Sequence, residues 1–259
     1  MMTTNESVQA SYNQINFPVS SLFNVSTGFS QINHYFEGRP LEDLLEWSLA
    51  TFGNRVAQVT SFGPAGMVIL DHLARINSDT RVITLDTQFL FKETCTLIEE
   101  VENRYSISID IRQPSLSPKE QGQRFGSKLW ETNPDHCCYL RKVLPLEDVL
   151  QSVDAWFTGL RRDQAATRAQ LPLFSWDSKY NVVKINPLAG WTRSQVWSYI
   201  LKHQVPYNPL HDQGYASIGC TNCTRPTTNQ VDERSGRWHS RQKTECGIHI
   251  TTDVQFVVG

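Results

Sequence analysis

The sequence predicts an α/β fold, with an open, mostly parallel sheet that carries helices on both faces. Short apolar segments typical of buried strands alternate with segments whose apolar residues recur at helical spacing, from residue 55 to residue 205. The 259-residue chain is long enough to bury one large core. Alternating strands and helices build parallel sheets, because each helix carries the chain back to the start of the next strand.

The predicted elements follow in chain order. A helix begins after Pro40 and stops at Gly53, where the helical spacing of apolar residues ends. Strands are expected over 55–62, 81–86, 107–111, 156–160 and 182–185. Helices are expected over 67–76, over 89–105 and near 118–125. A further helix begins at Thr192, whose side chain forms a capping box with Gln195.

These patterns divide the chain into three parts. Residues 1–38 are expected to be a polar, weakly ordered leader with at most one short helix, and residues 39–211 form the α/β domain. Residues 212–259 are expected to be an irregular, cysteine-containing segment with a mobile tail that carries Cys246. The leader lacks the basic start and apolar stretch of a secretory signal, and no window approaches the ~18 apolar residues of a membrane helix. We therefore expect a cytoplasmic protein without a membrane partner.

Composition narrows the classes of partner. The formal net charge of −2 gives no overall attraction to nucleic acid or to an anionic membrane. An anionic substrate would therefore need a local cluster of basic residues. Because the cytosol keeps thiols reduced, the six cysteines are expected to be ligands or reactive groups rather than disulfides. The sequence leaves open whether the protein forms a homo-oligomer.

Four cysteines fall into two pairs with the composition of a metal site. Cys137 and Cys138 are adjacent, and Cys220 and Cys223 form a C-x-x-C. Together they make a Cys₄ set that suits zinc or an iron–sulfur cluster. Adjacent side chains diverge in regular structure, so the tandem pair can face one centre only where the backbone is distorted. Because zinc ribbons use two C-x-x-C pairs, this favours a cluster, while structural zinc and four unrelated thiols stay open.

The two remaining cysteines differ in their surroundings. Cys246 lies in a polar tail, where a thiol can react and be reached by a second protein. Arg241, Lys243 and His249 are near in sequence and would lower its pKa. An incidental surface thiol is the alternative. Cys95 lies within a helical pattern and is expected to be a small, buried and inert residue.

Basic residues follow strand ends and precede Cys246, which suits the binding of an anion. They are Lys142 after the tandem cysteines, Arg161, Arg162 and Arg168 after the fourth strand, and Arg234 and Arg237 in the C-terminal segment. Arginine binds phosphate and sulfate through two parallel N–H groups, and a lysine would stabilise an anionic cluster. Any one of them alone is equally well read as a solvated surface residue. Their shared placement favours an oxyanion pocket.

Two loops at strand ends offer further contacts. Residues 61–66 follow a strand and open a helix, so that their small side chains let backbone N–H groups approach an anion. The loop is neither a Walker A motif nor G-x-G-x-x-G, and a plain strand–turn–helix junction is the alternative. Asp86 and Thr87 end the second strand, where they either contact a nucleoside or cap the next helix.

These pieces occur together in one family. The segments TSFGPAGMVIL, CCYLRKVLPL, FTGLRRDQAATR, VPYNPLHDQGYASIGCTNCTRP, ERSGRW and KTECGIH resemble those of the assimilatory adenylyl-sulfate reductases. These enzymes are relatives of the phosphoadenylyl-sulfate reductases and share the adenine nucleotide α-hydrolase-like fold. The likeness runs from about residue 55 to residue 249, and the combination of the tandem cysteines, C-x-x-C and ECGIH is specific.

The resemblance implies a role for each matching position. Cys246 would attack the sulfur of adenosine 5′-phosphosulfate, release AMP and become an S-sulfocysteine. Thioredoxin or a glutaredoxin-like dithiol would then release sulfite. Cys137, Cys138, Cys220 and Cys223 would bind a [4Fe–4S] cluster, with Lys142 between cluster and substrate. Ser61, Gly63, Leu85 and Thr87 of the domain 39–211 would line the nucleotide site. The phosphosulfate would be surrounded by Arg161, Arg162, Arg234 and Arg237.

The chain departs from the family at the second strand. The family often reads LDTGRLFPET, whereas Gln88, Phe89 and Lys92 replace Gly, Arg and Pro here. The stretch before the ECGIH motif is slightly short, and His239 stands where an aromatic residue is common. Nucleotide binding at the second strand is therefore expected to differ.

Three other classes of protein share some of these features. Reductases of the 3′-phosphorylated substrate usually lack the four paired cysteines, although some cluster-bearing members accept both substrates. ATP-using adenylating or tRNA-thiolating enzymes of this fold show S-G-G-x-D-S, and the loop SFGPAG lacks that Asp. An iron–sulfur redox sensor would explain the four cysteines, but neither Cys246 nor the arginines.

Overall fold

The sheet has the predicted arrangement. In the computed structural model, residues 28–227, 233–238, 243 and 245–249 are described. The strands among them are β1 Val56–Val59, β2 Arg81–Leu85, β3 Ile109–Arg112, β4 Ala155–Phe157, β5 Phe174–Asp177 and β6 Val182–Ile185. They form one sheet in the order β3-β2-β1-β4-β6-β5, and every pair is parallel except β5 with β6. The open, mostly parallel sheet is thereby confirmed.

Helices occupy most of the connections between strands. Their bounds are α1 Gly28–Phe36, α2 Leu41–Phe52, α3 Pro64–Ile76, α4 Lys92–Tyr105, α5 Pro118–Phe125, α6 Leu129–Thr132, α7 Pro134–Cys138, α8 Leu144–Leu150 and α9 Arg193–His203. The capping box of Thr192 and Gln195 is confirmed at the start of α9. No helix of the described residues combines the length and the apolar character that crossing a membrane requires.

Two helix starts differ from the prediction. α3 begins at Pro64 rather than at residue 67, because the fixed φ of proline suits the first turn of a helix. α4 begins at Lys92 rather than at residue 89, because Phe91 has an extended backbone with ψ 149°. Strand β5, helices α6 to α8 and the exact place of α1 were not predicted. The 27 residues before α1 lie outside the described residues.

Side chains that alternate along the central strands build two separate cores. Val56 of β1 and Phe157 of β4 point to one face, where they pack with α2, α3 and α9. Ala57 of β1 and Trp156 of β4 point to the opposite face, where they pack with the apolar side of α8. Both faces of the sheet are thus covered by helices, as the sequence predicted, and the carboxyl edge of the strands is left to loops.

Candidate active site

A cavity of about 240 Å³ opens at the carboxyl edge of β1, β2 and β4. Loops after these strands form one wall, and the described C-terminal segments form the other. Most of the predicted site residues meet here, namely Ser61, Gly63, Leu85, Thr87, Lys142, Arg161, Cys220, Arg234, Arg237 and Cys246. A ligand-binding site at this edge is the arrangement typical of open α/β sheets.

The loop after β1 has a strained and tightly packed backbone. Phe62 adopts a left-handed φ of 56°, and its N–H donates to the side chain of Thr60 at 3.0 Å. A positive φ costs a bulky residue on the order of 1 kcal/mol, and such strain collects at functional sites. A Cβ added to Gly159, in the loop after β4, would lie 3.0 Å from the Gly66 nitrogen. The absence of a side chain at Gly159 therefore lets the loop after β4 approach the first turn of α3.

The tandem cysteines precede a distorted segment of backbone. Cys137 and Cys138 end α7, and the chain continues as a π-helical segment over Tyr139–Val143. The distortion that the adjacent pair was expected to need is present immediately after it. π-Helical segments concentrate at functional sites. The segment carries Arg141 and Lys142 toward the cysteines.

The paired cysteines lie close enough to interact electrostatically. Burial, and then the negative charge of Cys220 and Cys223, raises the pKa of Cys137 to about 11. The Thr87 hydroxyl lies 3.3 Å from the Cys220 sulfur. Within the described residues, no three His, Cys, Asp or Glu side chains converge on one ion position. A cubane cluster takes one thiolate at each iron, so its ligands need not converge on a single point.

Two cations sit beside these thiols, which suits an anionic group. Arg141 is 1% exposed, and among the described residues its Nη2 has no hydrogen-bond partner. Burial lowers the pKa of Lys142, but the charges of Cys220, Cys246 and Cys138 outweigh that effect and raise the pKa overall. Four thiols with an unsatisfied guanidinium and a lysine match the donor chemistry of an iron–sulfur cluster.

The surroundings of Cys246 favour its thiolate form. The neighbouring Cys138 thiol lowers the pKa of Cys246 most. Burial opposes this effect, whereas Lys142, the Ile248 N–H and Arg237 add to it and hold the pKa well below its usual range. The thiolate is the nucleophilic form of cysteine. Cys246 lines the cavity, so this nucleophile faces the space where a substrate would bind.

The arginines around the cavity are held by acidic residues. Arg161 donates to Asp163 and to Glu233, each at 2.9 Å. Arg234 lies 3.4 Å from the carboxylate of Glu245, and burial lowers its pKa to about 10. Arg237 donates to Ser217 at 3.2 Å. The cavity wall is therefore cationic but already organised before any anion binds.

Arg162 lies apart from this group. Its guanidinium donates to both carboxylate oxygens of Glu37 at 2.6 and 2.8 Å and to the Leu171 carbonyl. Arg162 does not line the cavity. The reason is local, because Arg161 has an extended backbone, with φ −135° and ψ 152°, and neighbouring side chains then point in opposite directions. We expected Arg162 to contact the phosphosulfate, but in this geometry its side chain points away from the cavity and pairs with Glu37.

Three further cavity residues, Arg193, Glu233 and Glu245, were not singled out from the sequence. Arg168 lines the cavity with them, as its place among the three arginines after β4 suggested. The glutamates follow no strand, and only the folded C-terminal segment brings them to the arginines.

The family departures have a structural role. Gln88 has a left-handed φ of 59°, and its side-chain oxygen lies 3.3 Å from Arg141 Nη1. The Phe89 ring lies 4.7 Å from the guanidinium of Arg141 and 5.3 Å from the Trp130 ring. Phe89 thus fills the place of the family's arginine with an aromatic surface under Arg141. Lys92 begins α4 and is exposed. His239 lies outside the described residues.

The expectation for Cys95 was wrong. Its side chain is exposed rather than buried. The buried face of α4 consists of Thr94, Leu97, Ile98 and Val101. Cys95 lies one residue beyond Thr94, and a rotation of about 100° per residue turns it off that face.

Comparisons with known proteins agree with this geometry. The family model described as the phosphoadenosine phosphosulfate reductase domain matches residues 55–226. The adenosine 5′-phosphosulfate reductase of Salinibacter ruber is 45% identical over 230 residues, which are 88% of this chain and 91% of the relative. Adenosine 5′-phosphosulfate reductase 2 of Bacillus subtilis is 48% identical over 208 residues, which are 80% of this chain and 88% of the relative.

A solved structure shows the same relationship. The phosphoadenylyl-sulfate reductase of Candida auris, crystallised with phosphate, matches with a TM-score of 0.70 and 33% identity. The match covers 77% of this chain and 97% of that one. These likenesses confirm the resemblance that the sequence motifs indicated. The chain belongs to the phosphoadenosine phosphosulfate reductase family.

Proposed function

We propose that this protein reduces adenosine 5′-phosphosulfate to sulfite and AMP in assimilatory sulfate reduction. The observation that carries the proposal is the position of the Cys246 thiolate in a cavity whose wall holds Lys142, Arg161 and Arg234. The names of the relatives support the choice of substrate, since those of Salinibacter ruber and Bacillus subtilis, at 45% and 48% identity, are adenosine 5′-phosphosulfate reductases. The 3′-phosphorylated substrate is the alternative, because the Candida auris relative is named for it.

The first step is nucleophilic attack. The Cys246 sulfur forms a bond to the sulfur of the phosphosulfate as the S–O bond to the phosphate breaks, and the bonding pair leaves with AMP. Cys246 becomes an S-sulfocysteine. Thiolate and substrate are both anions, so the barrier includes their repulsion. Lys142 and the cavity arginines offset this repulsion and stabilise the charge that develops on the leaving phosphate.

The second step needs an external dithiol, which we propose is thioredoxin or a glutaredoxin-like protein. One of its thiolates attacks the Cys246 sulfur, sulfite leaves with the electron pair, and a mixed disulfide forms. The second thiol resolves that disulfide and returns the Cys246 thiol. The dithiol supplies two electrons and is oxidised to a disulfide, while the substrate sulfur is reduced to sulfite. We propose a cytoplasmic setting for this cycle, because the cytosol keeps thiols reduced and each turnover needs a free Cys246 thiol.

We further propose that Cys137, Cys138, Cys220 and Cys223 hold a [4Fe–4S] cluster. Such a cluster, when bound, would supply a compact negative charge beside the substrate site. Lys142 and Arg141 would balance that charge from this chain. Because the dithiol provides both electrons, the cluster is not required to carry any.

The test is sulfite release under anaerobic conditions by the purified protein with thioredoxin. Adenosine 5′-phosphosulfate and its 3′-phosphorylated analogue are compared at equal concentration. A strong preference for the unphosphorylated substrate supports the proposal. Equal or reversed preference moves the function to the alternative substrate. Absence of sulfite from either substrate, with iron still bound, contradicts the enzymatic proposal and favours a redox sensor.

A further inference from the structure

The turn that follows Cys246 is bound by the connection between β5 and β6. The Lys179 ammonium donates to the Gly247 carbonyl at 3.1 Å, and the Tyr180 hydroxyl donates to the Ile248 carbonyl at 3.3 Å. The turn itself is a short 3₁₀ segment over Gly247–His249. Neither Lys179 nor Tyr180 lines the cavity. Their contacts are therefore made to the backbone that carries the nucleophile, and not to the substrate space.

One peptide group connects Lys179 to the reacting sulfur. The carbonyl of Gly247 and the N–H of Ile248 belong to the same planar peptide unit. Lys179 binds the oxygen of this unit, and the turn closes where the His249 N–H donates to the Cys246 carbonyl at 3.1 Å. A cation on the carbonyl oxygen therefore fixes the plane of this peptide unit within the closed turn that begins at Cys246. Lys179 thus acts on Cys246 without touching it.

Side-chain packing holds the same turn from below. Ile248 packs against the core that contains Trp156 and Tyr180. The His249 ring lies parallel to the Trp156 ring, with centroids 5.8 Å apart and 17° between planes. Both contacts place apolar or aromatic surface under the turn, so that the backbone carbonyls face Lys179 and Tyr180. The turn is therefore anchored by Trp156 of β4 and by the connection between β5 and β6.

We propose that Lys179 and Tyr180 are positioning residues that hold the Cys246 sulfur at the cavity through the Gly247–Ile248 peptide. The inference rests on the proposed role of Cys246 as the nucleophile. It assigns a role in the reaction to two residues that do not line the cavity. Removing either donor frees the turn that positions the Cys246 sulfur, which slows attack but leaves substrate binding unchanged. The expected kinetic signature is a lower kcat with an unaltered KM.

The test uses Lys179→Met and Tyr180→Phe in the full-length protein. Amide hydrogen exchange of the peptide that contains Gly247–His249 is measured by mass spectrometry, together with kcat and KM. We expect exchange to quicken about fivefold for each lost hydrogen bond and kcat to fall by a similar factor. Lys179→Arg, which keeps a donor, is expected to restore part of both effects.

Matched controls separate positioning from general destabilisation. Lys128→Met removes an exposed lysine that pairs with Glu131, and Tyr105→Phe removes a hydroxyl that donates to Asp71. Neither control is expected to change exchange at the turn. Wild-type exchange and kcat in both test variants would overturn the proposal. Exchange needs no sulfur chemistry, so its response stays measurable if the wild type releases no sulfite, and failure of the proposed function is then recognised separately.

Discussion

Glu245 binds Arg168 through both carboxylate oxygens, with Arg168 Nε donating at 2.9 Å and Nη2 at 2.6 Å. The side chain of Arg168 is only 8% exposed, and that of Glu245 is 15% exposed. Glu245 immediately precedes Cys246, and Arg168 belongs to the loop region after β4. The pair thus attaches the residue before Cys246 to the wall of the cavity.

Arg168→Met is expected to lower kcat/KM on the order of 100-fold. The substitution leaves Glu245 buried beside the substrate site without its main cation, and breaking a pair of this kind costs about 3 kcal/mol or more. Steady-state sulfite release measures the effect. Arg162→Met is the matched control, because Arg162 pairs with Glu37 outside the cavity. An equal loss in both variants would mean that the cavity position of Arg168 has no special role.

Gly159→Ala is expected to destabilise the fold by about 1–3 kcal/mol, the usual range for overpacking. The new Cβ would lie 3.0 Å from the Gly66 nitrogen, where the loop after β4 meets the first turn of α3. Urea unfolding measures the change in the free energy of unfolding. At Gly190 a Cβ would meet its nearest atom at 3.6 Å, so Gly190→Ala is expected to be nearly neutral. Equal midpoints for the two variants would contradict this packing argument.

Stability is expected to fall as the pH drops below about 6.5. Burial lowers the pKa of His72 and of His211, so each is neutral in the folded state and gains a proton more readily when unfolded. Their contribution to stability is therefore complete above the unfolded pKa of 6.5 and is lost as the pH falls toward the folded pKa.

Urea unfolding at pH values from neutral to mildly acidic checks this dependence. The slope can reach about 1.4 kcal/mol per pH unit for each such histidine. His211→Gln should flatten it, whereas replacing the exposed His34 by Gln should not. A stability that rises on acidification would refute the assignment of these two side chains as neutral and buried.

Cys137→Ser and Cys220→Ser are each expected to abolish iron binding in anaerobically purified protein. Each change removes one of the four thiols proposed to hold a cluster, and serine is a poor substitute for thiolate ligands. Iron and acid-labile sulfide per chain measure the outcome. Cys95→Ser is the control, because Cys95 is exposed on α4 and should leave the iron content unchanged. Wild-type protein with neither iron nor sulfide would contradict the cluster proposal.

Local patterns predicted the features that depend on local chemistry. The parallel strands and the capping box of Thr192 follow from residue type and spacing. The arrival of Ser61 and Arg161 at one sheet edge follows from parallel strand topology, which places the carboxyl ends of strands together.

Features that depend on long-range packing were not predictable in the same way. Arg168 and Glu245 are 77 residues apart, and no spacing rule pairs them. Arg161 and Arg162 look equivalent in sequence, yet an extended backbone sends them to opposite sides. β5 is a four-residue strand, and it pairs only with its antiparallel neighbour β6 at the edge of the sheet. The helical pattern around Cys95 did not show which face of α4 is buried, and the structure leaves Cys95 exposed.

The most direct test of the account is to trap the bond between Cys246 and sulfur. Wild-type protein is incubated anaerobically with adenosine 5′-phosphosulfate, labelled with radioactive sulfur, in the absence of any dithiol. We expect one sulfo group on the peptide that contains Cys246, together with an equal amount of released AMP, in the wild type and in Cys95→Ser. We expect neither in Cys246→Ser. AMP release without label on Cys246, or label that persists in Cys246→Ser, would contradict it.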